Sequence, residues 1–260
     1  MPVAIITGAN GVFGQHIAAG LLQHGFETVC VCRDEAKAKA LVSNLTLLCP
    51  KGTVRYELVD CSRHGSIRAF AQRWTGPLDV LINNAAITPT TRQETPEGIE
   101  SQWACNVLGY HWFIKEFERH LKLSSAPRVA NVASSYAGGL NLEDPEFKKR
   151  PYNPISAYRA SKQANRMLTQ SWAKKLGPGI IFASSMPGVA TSNVSLGLGF
   201  DLDRSSEAAK KGAVTPLFTV LDPSVVSGQY YSDCKQERCE FSTNVVAVDK
   251  LFDLLEKYSS

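Results

Sequence analysis

Tyr158 and Lys162 stand four residues apart, a spacing that on a helix puts both side chains on one face. A phenol beside an ammonium can give a proton to, or take one from, an oxygen whose charge changes during reaction. An unperturbed tyrosine, with pKa ~10, is a poor base at neutral pH. Lowering that value by ~3 units takes about 4 kcal/mol, which two close cations in a partly dry site can supply. Lys162 is therefore expected to make the phenol more acidic. Ser134, at the end of an apolar run, could hold the reacting oxygen. Asn106 could position a water that relays protons to Lys162; its plain alternative is a core amide that satisfies backbone groups. The same Tyr-x-x-x-Lys spacing recurs at Tyr231 and Lys235, but there it follows a short strand pattern and precedes no clear helix.

The second feature with chemical content is Thr7-Gly8-Ala9-Asn10-Gly11-Val12-Phe13-Gly14, directly after Val3-Ala4-Ile5-Ile6 and ahead of a helical pattern. Glycines at a strand-to-helix turn let the backbone approach a pyrophosphate, while the helix start supplies free N–H groups and partial positive charge. With a second strand ending near Cys32, this order predicts a dinucleotide site. An acidic residue about 20 positions past the glycines commonly holds a ribose hydroxyl, whereas an arginine accommodates a 2′-phosphate. Here the strand ends in Cys32-Arg33, with Asp34 beside it. An Arg–phosphate contact of roughly 1.5 to 3 kcal/mol favours NADP(H) over NAD(H) by about ten- to hundredfold. Asp60, with Cys61 next to it, follows the third strand and could hold the adenine amino group or cap the helix that comes after.

These groups need a rigid frame. Short β-branched runs (3–7, 28–32, 53–58, 78–82, 128–133, 180–184 and 229–232) alternate with amphipathic stretches near 12–24, 34–45, 64–74, 96–121, 155–176, 204–221 and 246–257. That pattern predicts one α/β domain over 1–260, a Rossmann-type doubly wound parallel sheet of about seven strands flanked by helices. Loops at 136–154 and 189–203 are long enough to bound a substrate pocket, with Phe147, Tyr152, Val194, Leu196, Leu198 and Phe200 as lining candidates.

A composition of 44% hydrophobic and 20% charged residues is that of an ordinary globular protein. A dispersed net charge of +4 argues against nucleic acid as the main partner. No membrane span is visible, nor a basic leader, which predicts a cytoplasmic protein. The seven cysteines include no CxxC pair and no metal-binding spacing, so no metal and no disulfide framework is expected.

On these residues the chain resembles the short-chain dehydrogenase/reductase family, nearly end to end. Asn83-Asn84-Ala85-Ala86 is similar to the Asn-Asn-Ala-Gly element, Asn131-Val132-Ala133-Ser134 to the strand of the catalytic serine, and Tyr158-Arg159-Ala160-Ser161-Lys162 to the active-site helix. The resemblance implies that Asn84, Ala85 and Ala86 lie near the adenosine ribose and that Lys162 also bonds the nicotinamide ribose. It implies further that Pro187-Gly188-Val189 turns beside the nicotinamide, with Thr191 or Ser192 at its carboxamide. Leu142-Glu143-Asp144 and the segment from Ser227 to Lys235 resemble the retinol-dehydrogenase-like and WW-domain-oxidoreductase-like branch. That branch implies an NADP(H)-dependent carbonyl reductase or alcohol dehydrogenase acting on an apolar aldehyde, ketone or retinoid-like molecule, and makes Tyr231 and Lys235 structural. Family members often form homodimers through helices matching 100–120 and 155–176, and an insertion before the second can block that face. Val12 stands where the family usually has glycine, Gly11 precedes it, and Ala86 replaces a glycine. The spacing of Gly8, Gly11 and Gly14 keeps open an extended-type enzyme acting on a nucleotide sugar. A non-catalytic NADP-binding sensor or scaffold is the rival that needs no proton-transfer residues.

Overall fold

The computed structural model describes residues 1–259. The strands are β1 (Val3–Thr7), β2 (Glu27–Cys32), β3 (Val54–Leu58), β4 (Val80–Asn83), β5 (Arg128–Val132), β6 (Ile181–Ser185), β7 (Gln229–Ser232) and β8 (Lys235–Glu237). The helices are α1 (Gly14–Gln23), α2 (Glu35–Leu48), α3 (His64–Arg73), α4 (Ser101–Trp103), α5 (Gly109–Leu121), α6 (Pro154–Leu176), α7 (Asn193–Gly197), α8 (Ser206–Leu221), α9 (Glu240–Thr243) and α10 (Val245–Glu256). They build a single α/β domain around one sheet of order β3-β2-β1-β4-β5-β6-β7-β8. Seven strands run parallel, and β8 folds back antiparallel on β7. The sequence pattern contains no sign of β8, because Lys235-Gln236-Glu237 is exposed and buries nothing.

Strand alternation divides the core between two faces. Ile5 and Val29 point toward α3, α5, α6 and α10, while Ala4, Ile6, Cys30 and Cys32 point toward α1, α2 and α8. Both faces are covered, so β1 reads as a continuous apolar run rather than an alternating one.

Three elements depart from the expected pattern. The helix predicted from residue 96 begins at Ser101, because the buried Glu100 carboxylate accepts from Gln102 N at 2.8 Å and Trp103 N at 2.7 Å and so sets the start of the helix. That helix is not uniform: a π turn (Ala104–Leu108) lies between α4 and α5. The 189–203 segment, expected as an open loop, contains α7, started by a capping box between Ser192 and Ser195.

The α5–α6 face offered by the sequence for dimerisation is occupied within the chain by α10. Phe252 packs against His111 and Trp172 with ring centroids 5.5 and 5.2 Å apart, Lys115 pairs with Glu256 at 2.8 Å, and Ser171 donates to Val248 O at 3.3 Å.

Candidate active site

The sheet reverses its order between β1 and β4. At such a switch point the connections leave in opposite directions and open a crevice beyond the strand ends. A cavity of about 720 Å³ lies there. Gly8, Asn10, Gly11, Val12, Phe13 and Gly14 form one wall. Gly8 adopts φ +62°, and a Cβ there would stand 2.8 Å from Ala85 Cα; at Gly14 a Cβ would fall 2.3 Å from Gly8 O. Both positions therefore require glycine. Gly11 has more room, and its N–H closes the turn on Gly8 O at 3.0 Å. The Phe13 ring packs against Gly212 of α8 and anchors the loop. No side chain caps the first turn of α1; Gln15 N and His16 N donate to Gly11 O and Phe13 O, both at 3.1 Å, and the positive end of the helix faces the glycine turn.

At the far end Arg33, Asp34, Lys37, Asp60 and Cys61 line the cavity. The Asp34 carboxylate is engaged as the cap of α2, accepting from Lys37 N at 3.0 Å. Asp60 caps a turn rather than the next helix, accepting from Ser62 N at 2.9 Å and Ser62 Oγ at 2.6 Å. Burial raises the Cys61 thiol and pushes Cys105, also on the cavity, up to about 12. Both stay protonated and play no part as nucleophiles. All seven cysteines are free, and no cluster of three or more His, Cys, Asp or Glu suited to a metal occurs among the described residues.

Asn84, Ala85 and Ala86 lie on the cavity beside the glycine turn. Asn84 Nδ2 donates to Thr7 O at 2.9 Å and Gly8 O at 3.2 Å, while Thr7 Oγ1 accepts from Asn84 N and Ala85 N. Asn83 donates to Asn131, which donates to Thr169, each at 2.9 Å. This chain of amides locks β1, β4 and β5 together beneath the site. Asn106 sits outside the cavity lining. Within the π turn its amide brackets one residue, accepting from Ile87 N at 2.9 Å and donating to Ile87 O at 3.0 Å. Its side chain thus holds backbone, the arrangement of the plain alternative.

Ser134, just past β5, and Tyr158 and Lys162 on α6 converge on the cavity. Ser134 Oγ accepts from Tyr136 N at 3.0 Å. Burial raises the Tyr158 phenol above its usual range, and the hydrogen bond with Ser134 opposes the shift in part. Lys162 is 2% exposed, and burial brings its ammonium down to about 7. Its Nζ donates to Val132 O at 2.8 Å and lies 5.7 Å from the Tyr158 ring centroid.

The remaining wall comprises Pro187, Gly188, Val189, Thr191 and Ser192, followed by Val194, Leu196, Leu198 and Phe200. The two hydroxyls offered for the carboxamide are engaged locally: Thr191 donates to Asp201 and accepts from Leu202 N, and Ser192 caps α7. Phe147 and Tyr152 are not lining residues. The first lies beneath the Arg150 guanidinium at 3.9 Å, and the second donates to Pro89 O and accepts from Gln102. Most of the 136–154 loop is therefore scaffold, and Ser135 and Tyr136 are the lining residues contributed near its start. Tyr231 and Lys235 face no cavity chemistry, since they belong to the β7–β8 hairpin. Sequence reasoning missed Lys37, Ile87 and Met186 on the lining. Lys37 was open to detection, being a cation in the first turn of the helix that follows Arg33.

A doubly wound sheet with a glycine turn at its switch point and a serine, tyrosine and lysine at one cavity defines a nucleotide-fold oxidoreductase. Residues 2–198 match the short chain dehydrogenase family, and the chain belongs to that family. It is 33% identical over 248 residues to retinol dehydrogenase 12 of Mus musculus, covering 90% of this chain and 78% of that protein. It is 32% identical over 262 residues to retinol dehydrogenase 14 of Mus musculus, with the same coverage. These likenesses assign it to the retinol-dehydrogenase-like branch. Among solved structures, a putative uncharacterized protein from Mycobacterium paratuberculosis superposes with a TM-score of 0.80 at 25% identity, covering 99% of this chain and 92% of that one. A short-chain dehydrogenase from Sphingobium yanoikuyae in complex with NADPH reaches 0.70 at 21% identity, covering 99% and 95%, a likeness of fold. No helix among the described residues is long and apolar enough to cross a membrane.

Proposed function

We propose that this protein is an NADP(H)-dependent oxidoreductase that interconverts a carbonyl and an alcohol on a fairly apolar small molecule. The observation that carries the reading is the convergence of Ser134, Tyr158 and Lys162 on the same cavity as the uncapped glycine turn. A bound nicotinamide cofactor supplies the hydride. The residues present fit it: the glycine turn, where a Cβ would clash, and the positive end of α1 suit a pyrophosphate, and Arg33 and Lys37 suit a 2′-phosphate.

Tyr158, kept protonated by burial, donates its proton to the carbonyl oxygen as that oxygen gains negative charge. Ser134 donates to the same oxygen, because the Tyr136 N–H takes up a lone pair of Oγ and leaves the hydroxyl proton free to turn. Lys162, anchored on Val132 O, adds positive charge in its protonated form. In alcohol oxidation the same phenol, once deprotonated, takes the proton back.

The charged side chains on the cavity are Arg33, Asp34, Lys37, Asp60 and Lys162. None lies along the stretch bounded by Tyr136, Met186, Val189, Leu196, Phe200 and Leu202, which supports an uncharged, apolar substrate. The Mus musculus relatives carry the name retinol dehydrogenase, consistent with that class. The test is oxidation of NADPH and NADH across aldehydes, ketones and retinoids. We expect turnover of apolar carbonyls with NADPH preferred; NADPH bound without turnover of any carbonyl would favour the sensor instead.

A further inference from the structure

Arg166 lies one helical turn beyond Lys162 and is 8% exposed, and no carboxylate pairs with it among the described residues. Its Nη2 donates to the backbone carbonyl of Ser134. The guanidinium lies 3.6 Å over the Tyr230 ring centroid and 5.7 Å from that of Phe241, and its Nε is buried without a partner. A buried cation with no counter-ion is costly, and a methionine could fill the same space between two aromatic rings without that cost. What needs an arginine here is the bond to Ser134 O.

Lys162 makes the matching contact one turn earlier, on Val132 O. Carbonyls two residues apart on extended chain point the same way, so successive turns of α6 grip successive carbonyls on one side of the strand end. Ser134 is thereby held from two directions, by Arg166 at its carbonyl and by Tyr136 N–H at its Oγ. Arg166 is not part of the cavity lining, so it acts through Ser134 and not on a ligand.

We propose that Arg166 is a positioning residue, which aims the Ser134 hydroxyl at the reacting oxygen before substrate arrives by fixing the backbone of Ser134. The inference rests on the reading of Ser134 given under Proposed function. Small displacements of a group that must meet a developing charge reduce rate strongly while leaving remote binding intact.

A double-mutant cycle tests it, with kcat and the NADPH KM measured for Arg166→Met, Ser134→Ala and the double variant at enzyme concentrations that quantify residual turnover. We expect Arg166→Met to lower kcat about ten- to hundredfold, to leave the NADPH KM within about twofold, and to have no further effect in the Ser134→Ala background. A folded Arg166→Met enzyme with wild-type kcat overturns the proposal. So does an equal fractional loss in the Ser134→Ala background, the mark of a general structural role. Wild-type turnover by Ser134→Ala overturns the role of Ser134 itself, and Arg166 with it, which separates that failure from failure of Arg166 alone. If Arg166→Met does not fold, Arg166→Lys, which keeps the charge but loses the planar fork, enters the same cycle with the same criteria.

Discussion

The middle and the end of α6 treat positive charge in opposite ways. At the middle, Lys162 and Arg166 are buried, meet no carboxylate, and donate to backbone carbonyls beside the cavity. Near its end, Lys174 is exposed and donates to both carboxylate oxygens of Asp249 at 2.9 Å, while Lys175 lies 4.5 Å over the Phe252 ring. The paired cations join those of α5 in docking α10, where Glu256 receives Lys115 and His111. Pairing brings small gains in stability, whereas leaving a buried cation unpaired costs stability that only a role in the site accounts for.

Replacing Lys162 has the largest expected effect on both sides of this contrast. Its pKa of about 7 in the folded protein lies below the usual lysine value of 10.5, so the unfolded chain binds this proton more tightly. The resulting penalty is complete below about pH 7 and fades as pH rises toward 10.5. Lys162→Met should therefore lose about a hundredfold or more in turnover yet gain on the order of 3 to 4 kcal/mol at pH 6. Denaturant titrations at pH 6 and 9 check this. An unchanged pH dependence in the variant would remove the contrast between the middle and the end of the helix.

Arg33→Ala should raise the NADPH KM about ten- to hundredfold while the NADH KM stays within about twofold; equal shifts for both cofactors would mean that the cation reads no 2′-phosphate. On the paired side, Glu256 is brought to about 2, first by the close His111 imidazole, 3.0 Å away, and then by Lys115, against a smaller opposing push from burial. Its contribution is present above the usual carboxylate value of 4.5 and is lost as pH falls through about 2. Because the side chain is 36% exposed, solvent screening reduces the effect of Glu256→Gln to about 1 kcal/mol at pH 7, with kcat unchanged. The smallest effect belongs to Lys174→Ala, less than about 0.5 kcal/mol and no change in rate; a larger loss would show that exposed pairs carry more of the α10 docking than their geometry implies.

The glycine turn and the Tyr158–Lys162 pair were legible because each is a local constraint, whereas the Asn83–Ala86 element was read through its likeness to the family's Asn-Asn-Ala-Gly element. A turn with φ +62° at Gly8, or two side chains on one helical face, is written in adjacent residues. What could not be read depends on distant partners. Glu100 sets the start of its helix only in the presence of the fold that buries it, and Phe147 is hidden by Arg150 rather than offered to a substrate. The lysine–tyrosine pair shows the limit most clearly. Four-residue spacing predicts their common face but not the burial that raises one group and lowers the other. Arg166 continues the same face at the next four-residue step, a signal present in the sequence whose meaning requires the position of Ser134 O.

The account depends most on the phenol of Tyr158 as proton donor. NADPH-dependent reduction of an apolar aldehyde, measured side by side for the wild-type and Tyr158→Phe enzymes together with NADPH affinity by fluorescence titration, addresses it directly. The prediction is a loss of about a thousandfold or more in kcat with NADPH affinity within about twofold; a Tyr158→Phe enzyme that turns over at the wild-type rate would contradict it.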